Sequence, residues 1–320
     1  MPRAMDKSCF VGIDTSNYTT SLALVSDGGE VLANLKAPLP VKAGECGLRQ
    51  SDAVFAHVKN IPQLMRAARE LLASYRVAAV GVSARPRDME GSYMPCFLAG
   101  VAAAEAFAAA AGAPLHTFSH QGGHLAAALY SAGAEHLLEA AEFGAFHVSG
   151  GTTDMLFVKP LPAEFSVEQI GGSADLHAGQ AIDRIGVALG LSFPCGPALE
   201  LLARENTARV PRPRISVRDG VCNLSGLENL ALKLYRETGD KALCAAYTLS
   251  FLTETLTAMA EQLREKRGEV PIVFAGGVMS NRIIAKALSE RLTDIYFAEP
   301  QFSADNAAGV ALLCRRRCKG

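Results

Sequence analysis

Tryptophan is absent from this 320-residue chain, and aromatic residues together make up only 7% of it. A nucleic-acid surface built on stacked aromatic side chains is therefore not expected. Neither sign of charge is in excess. The 31 basic and 32 acidic residues leave a net charge of −1, which excludes a globally basic nucleic-acid binder but not a local basic face. The eight cysteines (Cys9, Cys46, Cys96, Cys195, Cys222, Cys244, Cys314 and Cys318) are scattered, with no Cys-x-x-Cys pair. In a chain this long that pattern predicts reduced thiols in a cytoplasm. No apolar run precedes Cys9, so no secretory signal is expected. The stretch 97–115 is Ala-rich but carries Glu105 and Gly112, which suits a packed helix better than a membrane span, and no membrane association is expected.

What is present is a large apolar fraction, 49%, enough for one large or two medium domains. Short apolar runs at 10–14, 21–25 and 31–35 read as consecutive strands, with Gly28-Gly29 turning between the second and third. Residues 51–74 repeat apolar positions at three to four and predict a helix. A buried strand at 77–83, an Ala-rich helix at 100–111 and a short strand at 114–118 follow. The second half opens in the same way, with strands at 145–149 and 155–158 around Gly150-Gly151-Thr152-Thr153. This repeated strand–turn–strand opening suggests an internal duplication. Helices at 180–189, 240–267, 281–292 and 305–313, with strands at 271–275 and 295–297, complete an α/β alternation. Residues 209–218 read as a Pro- and Arg-rich loop.

Several short motifs can carry chemistry, and each has a plainer reading. His120-Gln121-Gly122-Gly123-His124 places two imidazoles on one face of a helix, where with a carboxylate they can hold a divalent metal. Gln121 stands where a metalloprotease helix has its general-base Glu, so that chemistry is excluded. Gly122 and Gly123 each cost a helix about 1 kcal/mol against Ala, which implies that something approaches the backbone closely. The plain reading is two histidines at a helix end near solvent. Asp14-Thr15-Ser16, and Ser149-Gly150-Gly151-Thr152, are turns that can hold phosphate or simply close a hairpin. Gly276-Gly277-Val278-Met279-Ser280-Asn281 lies between a buried strand and a helix, a common nucleotide cradle, although it has neither dinucleotide-fingerprint spacing nor a P-loop Lys. Asp305-Asn306 reads as a helix start, where Asp is usually a cap. Arg209, Arg212, Arg214 and Arg218 suit a phosphate backbone or a solvated loop.

Taken in order, from about Phe10 to about Leu313, these motifs resemble the TsaD family of tRNA threonylcarbamoyl-adenosine transferases. Gly12-Ile13-Asp14-Thr15-Ser16 is similar to the opening strand and turn of that family. His120 and His124 match its paired His, and Ser149-Gly150-Gly151 its Ser-Gly-Gly turn. Asp175, Gly179 and Asp183 fall on its ribose–phosphate segment. Phe193-Pro194-Cys195-Gly196-Pro197 and Asn223-Leu224-Ser225-Gly226-Leu227 match two further loops, Ala275-Gly276-Gly277-Val278 with Asn281-Arg282 the adenosine motif, and Asp305-Asn306 the segment with a third metal ligand.

The resemblance implies the actin-like, sugar-kinase-like ATPase fold, with two related α/β lobes and a nucleotide cleft between them. The lobes are expected at 1–117 plus 300–320 and at 118–299. It implies one divalent metal, Fe or Zn, on His120, His124 and Asp305. It also implies an adenine nucleotide or threonylcarbamoyl-AMP against Ser149, Gly150, Gly151, Thr152, Gly179, Asp183, Gly196, Gly276, Gly277 and Asn281. The implied activity moves threonylcarbamoyl to N6 of the adenosine beside the tRNA anticodon, with tRNA and TsaB-like and TsaE-like proteins as partners.

The departures remove carboxylates and spare glycines. Asn17-Tyr18-Thr19 stands for the family's usual Cys-Asp-Glu, Gly122 for a Glu, Thr152 for a His and Gln180 for a Glu. A divergent paralogue fits this pattern. The alternative to a transferase is then a non-catalytic nucleotide-binding protein acting through partners.

Overall fold

The computed structural model describes residues 7–40, 48–303 and 307–320. The chain divides into two compact units, Met1–Ser131 with Pro160–Ser166 and Ala304–Gly320, and Ala132–Lys159 with Val167–Ser303.

In the first unit, β1 (Ser8–Thr15), β2 (Thr19–Ser26) and β3 (Val31–Pro38) form an antiparallel meander. Gly29, at φ +94°, makes the tight turn between the last two. α1 (Gln50–Ala67) and α2 (Arg69–Ala73) follow, where the sequence predicts one helix; Ala68 between them keeps αR dihedrals. β4 (Arg76–Arg85), α3 (Phe97–Ala111), β5 (Leu115–Ser119) and α4 (His120–Ser131) complete the N-terminal run. The sheet order is β3-β2-β1-β4-β5, with β4 parallel to β1 and β5 parallel to β4. β1 is central and buried from Cys9 to Thr15, which is why it reads as a nearly continuous apolar run.

The C-terminal helix, numbered last below (Ala308–Lys319), returns to this unit. It lies so close to the sheet that a Cβ on Gly12 would sit 2.3 Å from the Ala307 carbonyl, and one on Gly81 3.0 Å from that of Val310. Against α4 the approach is closer still, since a Cβ on Gly309 would stand 1.8 Å from the Gly123 carbonyl. The close approach implied by two glycines in a helix is therefore made by another helix of the same unit. It also corrects the expected division of the chain. Residues 118–131 go with the first unit, because α4 packs backbone to backbone on that helix.

The second unit contains β6 (Phe143–Val148), most of β7 (Thr153–Pro160) and of β8 (Phe165–Ser173), α5 (Ala178–Ala188), α6 (Gly196–Arg204), the short strands β9 (Val217–Arg218) and β10 (Val221–Cys222), and α7 (Ser225–Thr238). Then come α8 (Lys241–Arg267), β11 (Ile272–Ala275), α9 (Arg282–Ser289), β12 (Ile295–Phe297) and α10 (Pro300–Ser303), before the returning helix α11. The sheet order is β12-β11-β6-β7-β8-β10-β9. Read outward from β6, the order 8-7-6-11-12 repeats the 3-2-1-4-5 of the first unit, with the same antiparallel and parallel steps at β6–β7, β6–β11 and β11–β12. The duplication suggested by two strand–turn–strand openings thus extends to the whole five-strand order.

α8 is buried along most of its length, and Thr248, Thr253, Thr255 and Thr257 return their hydroxyls to carbonyls four residues back. This lets polar side chains sit in the core without an unmet donor. None of the described helices is long and apolar enough to cross a membrane. The described cysteines are all free thiols. Burial pushes those of Cys9, Cys222 and Cys244 up to about 11.

Candidate metal and nucleotide sites

β5 runs into α4 without a loop, so His120 begins the helix and His124 follows one turn later. Ser119 holds this junction. Its hydroxyl accepts from the Gly122 N–H at 3.0 Å, in the manner of a helix cap, and donates to Asp88 at 2.5 Å. The two imidazoles meet with Nε2 to Nε2 at 3.0 Å. Two nitrogens each about 2.1 Å from one tetrahedral Zn²⁺ would stand roughly 3.4 Å apart, a spacing close to that of this pair.

The His120 Nδ1 lies 2.8 Å from Oδ1 of Asp14, which is fully buried at the end of β1. With the Nδ1 proton directed to that carboxylate, Nε2 keeps its lone pair, the arrangement that supports imidazole as a metal ligand. Asp14 therefore contacts one of the two histidines expected at the metal, a role that its Asp-Thr-Ser turn did not reveal. The opening turn contributes a carboxylate partner for His120 across the sheet-to-helix junction. Asp305 and Asn306 lie outside the described residues, and among the described residues no group of three or more His, Cys, Asp or Glu could hold a metal. The donor types that are described, two adjacent imidazoles and a carboxylate behind one of them, suit a borderline divalent ion with one further ligand.

A cavity of about 360 Å³ lies wholly within the second unit. Gly150, Gly179, Asp183, Gly196, Gly277 and Asn281, six of the residues expected at a nucleotide, line it together. Ser149, Gly151, Thr152 and Gly276 are not in its wall. The β6–β7 turn explains the first three. The Ser149 hydroxyl accepts from the Gly151 and Thr152 N–H groups and meets the Thr152 hydroxyl at 2.8 Å, so the turn satisfies itself and presents Gly150. Gly276 serves the backbone. Its φ is +102°, and a Cβ there would lie 2.2 Å from the Val148 carbonyl. A bulky residue at Gly276 would therefore disturb β6 itself. Gly277, by contrast, faces open space.

The chemistry around this cavity is divided. Ile182, Pro194, Pro197 and Val278 give an apolar wall, while Asp183 and Glu200 supply carboxylates. Carboxylates accept from ribose hydroxyls, and the glycine backbones of Gly150 and Gly277 leave room for a phosphate to approach. Asp183 Oδ1 also accepts from the Cys195 N–H at 2.7 Å, fixing the loop that carries Pro194 and Gly196. Asn281 caps α9 through Oδ1, accepting from Ile283 and Ile284. Sequence reasoning missed Glu200 and α6 altogether. The signal was there in the apolar spacing of Leu199, Leu202 and Ala203 behind Gly196-Pro197, a Pro at a helix start.

Asp175 has another job. It is exposed and away from the cavity wall, where it binds the N–H groups of Leu176, Leu224 and Ser225 and the Ser225 hydroxyl. Desolvation pushes its carboxyl up, but these four donors outweigh it and hold the group at about 2.

Strand order and the doubled sheet define a class. The chain has the actin-like ATPase fold, and solved structures of that class match nearly all of it. They include the activator of 2-hydroxyisocaproyl-CoA dehydratase from Clostridium difficile with bound ADPNP, at 13% identity and TM-score 0.54 over 97% of this chain and 96% of that one. A ROK family glucokinase from Streptomyces griseus in complex with glucose and AMPPNP matches at 15% identity and TM-score 0.52, over 96% and 99%. HypF of T. kodakarensis matches at 13% and TM-score 0.62, with 98% of this chain aligned to 48% of that one. Within this class the chain belongs to the TsaD family of tRNA N6-adenosine threonylcarbamoyltransferases, whose family model matches residues 41–312.

Proposed function

We propose that this protein is an acyltransferase of the TsaD type. It would act in the cytoplasm, taking threonylcarbamoyl-AMP and passing its acyl group to N6 of the adenosine beside the tRNA anticodon. The observation that carries this reading is the cavity of the second unit, whose wall combines the carboxylates of Asp183 and Glu200 with bare glycine backbone at Gly150 and Gly277. The amine nitrogen forms a bond to the carbamoyl carbon, the bond from that carbon to the phosphate oxygen breaks, and AMP leaves while the amine loses a proton. The chain's part is to bind and orient the adenylate, a positioning task that needs no nucleophilic side chain.

His120, His124 and, by family resemblance, Asp305 would hold one divalent metal, Fe or Zn. Bound there, it would supply a Lewis acid and a template for the acyl group. TsaB-like and TsaE-like proteins belong to this reading as partners.

A second reading, a non-catalytic nucleotide-binding paralogue, draws on the β1–β2 turn. There Asn17 stands among the positions where the family usually has Cys-Asp-Glu, and its side chain accepts from Gln50 at 2.8 Å, as a structural tie. Tyr18 beside it is half exposed. A carboxylate in acid–base work is worth about 10²–10⁴ in rate, so its loss separates the two readings measurably. The test is threonylcarbamoyl transfer by the purified chain, with its helper proteins, to an unmodified tRNA transcript. Turnover establishes the transferase. Tight adenylate binding without turnover establishes the paralogue.

A further inference from the structure

The Pro- and Arg-rich segment after α6 takes no part in the cavity wall. It leaves α6 at Arg204, one turn beyond Glu200, and runs as irregular chain to β9. Val210 and Ile215 are half-buried and pack against the core of the second unit. Between and beside these anchors, Arg209, Arg212 and Arg214 are exposed. Pro211 and Pro213 lock their own φ and hold Val210 and Arg212 in extended conformations. The guanidinium groups are thus carried on a stiff, pinned arm, and little backbone freedom remains to be lost when they bind.

Their charge is also not neutralised by a described carboxylate, although Arg214 lies near enough to Tyr247 to act on its hydroxyl. Arg204 pairs with Glu200, Arg267 with Glu168 and Arg291 with Glu254, and Arg218 stands near Asp219. Among the described residues no carboxylate pairs with Arg209, Arg212 or Arg214. Two of these, Arg212 and Arg214, are two residues apart on extended chain, about 6–7 Å between Cα atoms. That is a stride comparable to the step between successive phosphates of one nucleic-acid strand. Arginine is suited to phosphate by its planar fork of donors. In a chain of net charge −1, three unpaired arginines on one rigid arm are a local feature and not a general basic character.

We propose that Arg209, Arg212 and Arg214 form a contact strip for the phosphodiester backbone of an RNA stem. The inference rests on the transferase reading, because the helix that contributes Glu200 to the cavity also delivers this arm. RNA is favoured over an acidic protein because the contact is a row of forked donors, and from 209 to 218 no large apolar side chain is exposed to anchor a protein surface.

The test uses the full chain with R209Q, R212Q and R214Q combined, and a second variant with R209K, R212K and R214K. Binding of an unmodified tRNA transcript is followed by fluorescence anisotropy across a KCl series, and AMP affinity by calorimetry. Loss of three phosphate contacts should reduce the slope of log K against log salt by about 2–3 and weaken binding about tenfold or more at low salt. The Lys variant should retain most of the slope, and AMP affinity should be unchanged in both. An unchanged slope in the Gln variant, with wild type binding and modifying tRNA, overturns the strip and leaves the transferase reading standing. Wild-type protein that neither binds nor modifies tRNA overturns both. Displacement of the transcript by polyglutamate at lower charge concentration than by a homopolymer RNA assigns the strip to an acidic protein and overturns the proposal. If the Gln variant does not fold, retention of the slope in R212E alone overturns it equally.

Discussion

Oδ1 of Asp14, at the end of the first strand, lies 2.8 Å from Nδ1 of His120, the first residue of α4. A buried carboxylate thereby sets which nitrogen of His120 faces His124. Replacing Asp14 by Asn keeps the volume but weakens this control of tautomer and ring orientation. Affinity for a divalent probe such as Zn²⁺ should fall about 10–100-fold by titration calorimetry. His124→Ala should cost more, because it removes a ligand atom. Unchanged affinity in Asp14→Asn would mean that the carboxylate serves only the fold.

Adjacent glycines should behave differently. Gly277 faces the cavity with room for a side chain, so Gly277→Val should lower AMP affinity at least about tenfold while leaving the melting temperature nearly unchanged. Gly276 sits at φ +102° against Val148. Gly276→Val should destabilise by about 2–4 kcal/mol, combining backbone strain with overpacking. Calorimetry and thermal melts on both variants check the pair, and equal melts would remove the distinction.

The seam of α4 on α11 is a third target. Gly309→Ala places a methyl group against the Gly123 carbonyl and should cost about 1–3 kcal/mol or more. Because α4 carries both histidines, the same substitution should also weaken divalent-metal binding. A change in stability with no change in metal affinity would show that the helix shifts without moving its first turn.

Asp175 gives a pH signature. Its carboxyl is held at about 2 in the folded chain, against about 3.9 for an unperturbed Asp, so ionisation favours folding. That contribution is complete above about pH 4 and is lost as pH falls through about 2. Asp175→Asn should therefore be less stable than the parent at neutral pH, and the gap in denaturation midpoints should close as pH falls from about 4 toward 2. A gap independent of pH over this window would assign the loss to packing.

Much of the architecture was legible because it rests on local pattern. β1 to β5, the Ala-rich α3 and the long α8 all show in apolar periodicity, and the two strand–turn–strand openings point to a doubled sheet. β8, α6 and α7 were missed. β8 is mostly half-exposed along its length, so it lacks an apolar run, and α6 and α7 follow loops whose Pro and Gly residues read as continuing punctuation. Among the site residues, glycines and histidines stand out by type, whereas Glu200 is an ordinary helical Glu until the helix is set beside a cavity.

The amino-acid sequence by itself determined the α/β alternation, the two imidazoles on one helical face and the glycine turns at strand ends, because these follow from residue type and short spacing. Tertiary structure decided what each glycine is for. Gly122 and Gly123 belong to a helix seam, Gly276 to a strained turn beneath Val148, and Gly277 to a cavity wall, although Gly276 and Gly277 are neighbours. It likewise decided that Asp14, 106 positions from His120, stands behind that histidine. Such assignments depend on which backbones approach one another across the fold, a quantity that no local spacing contains.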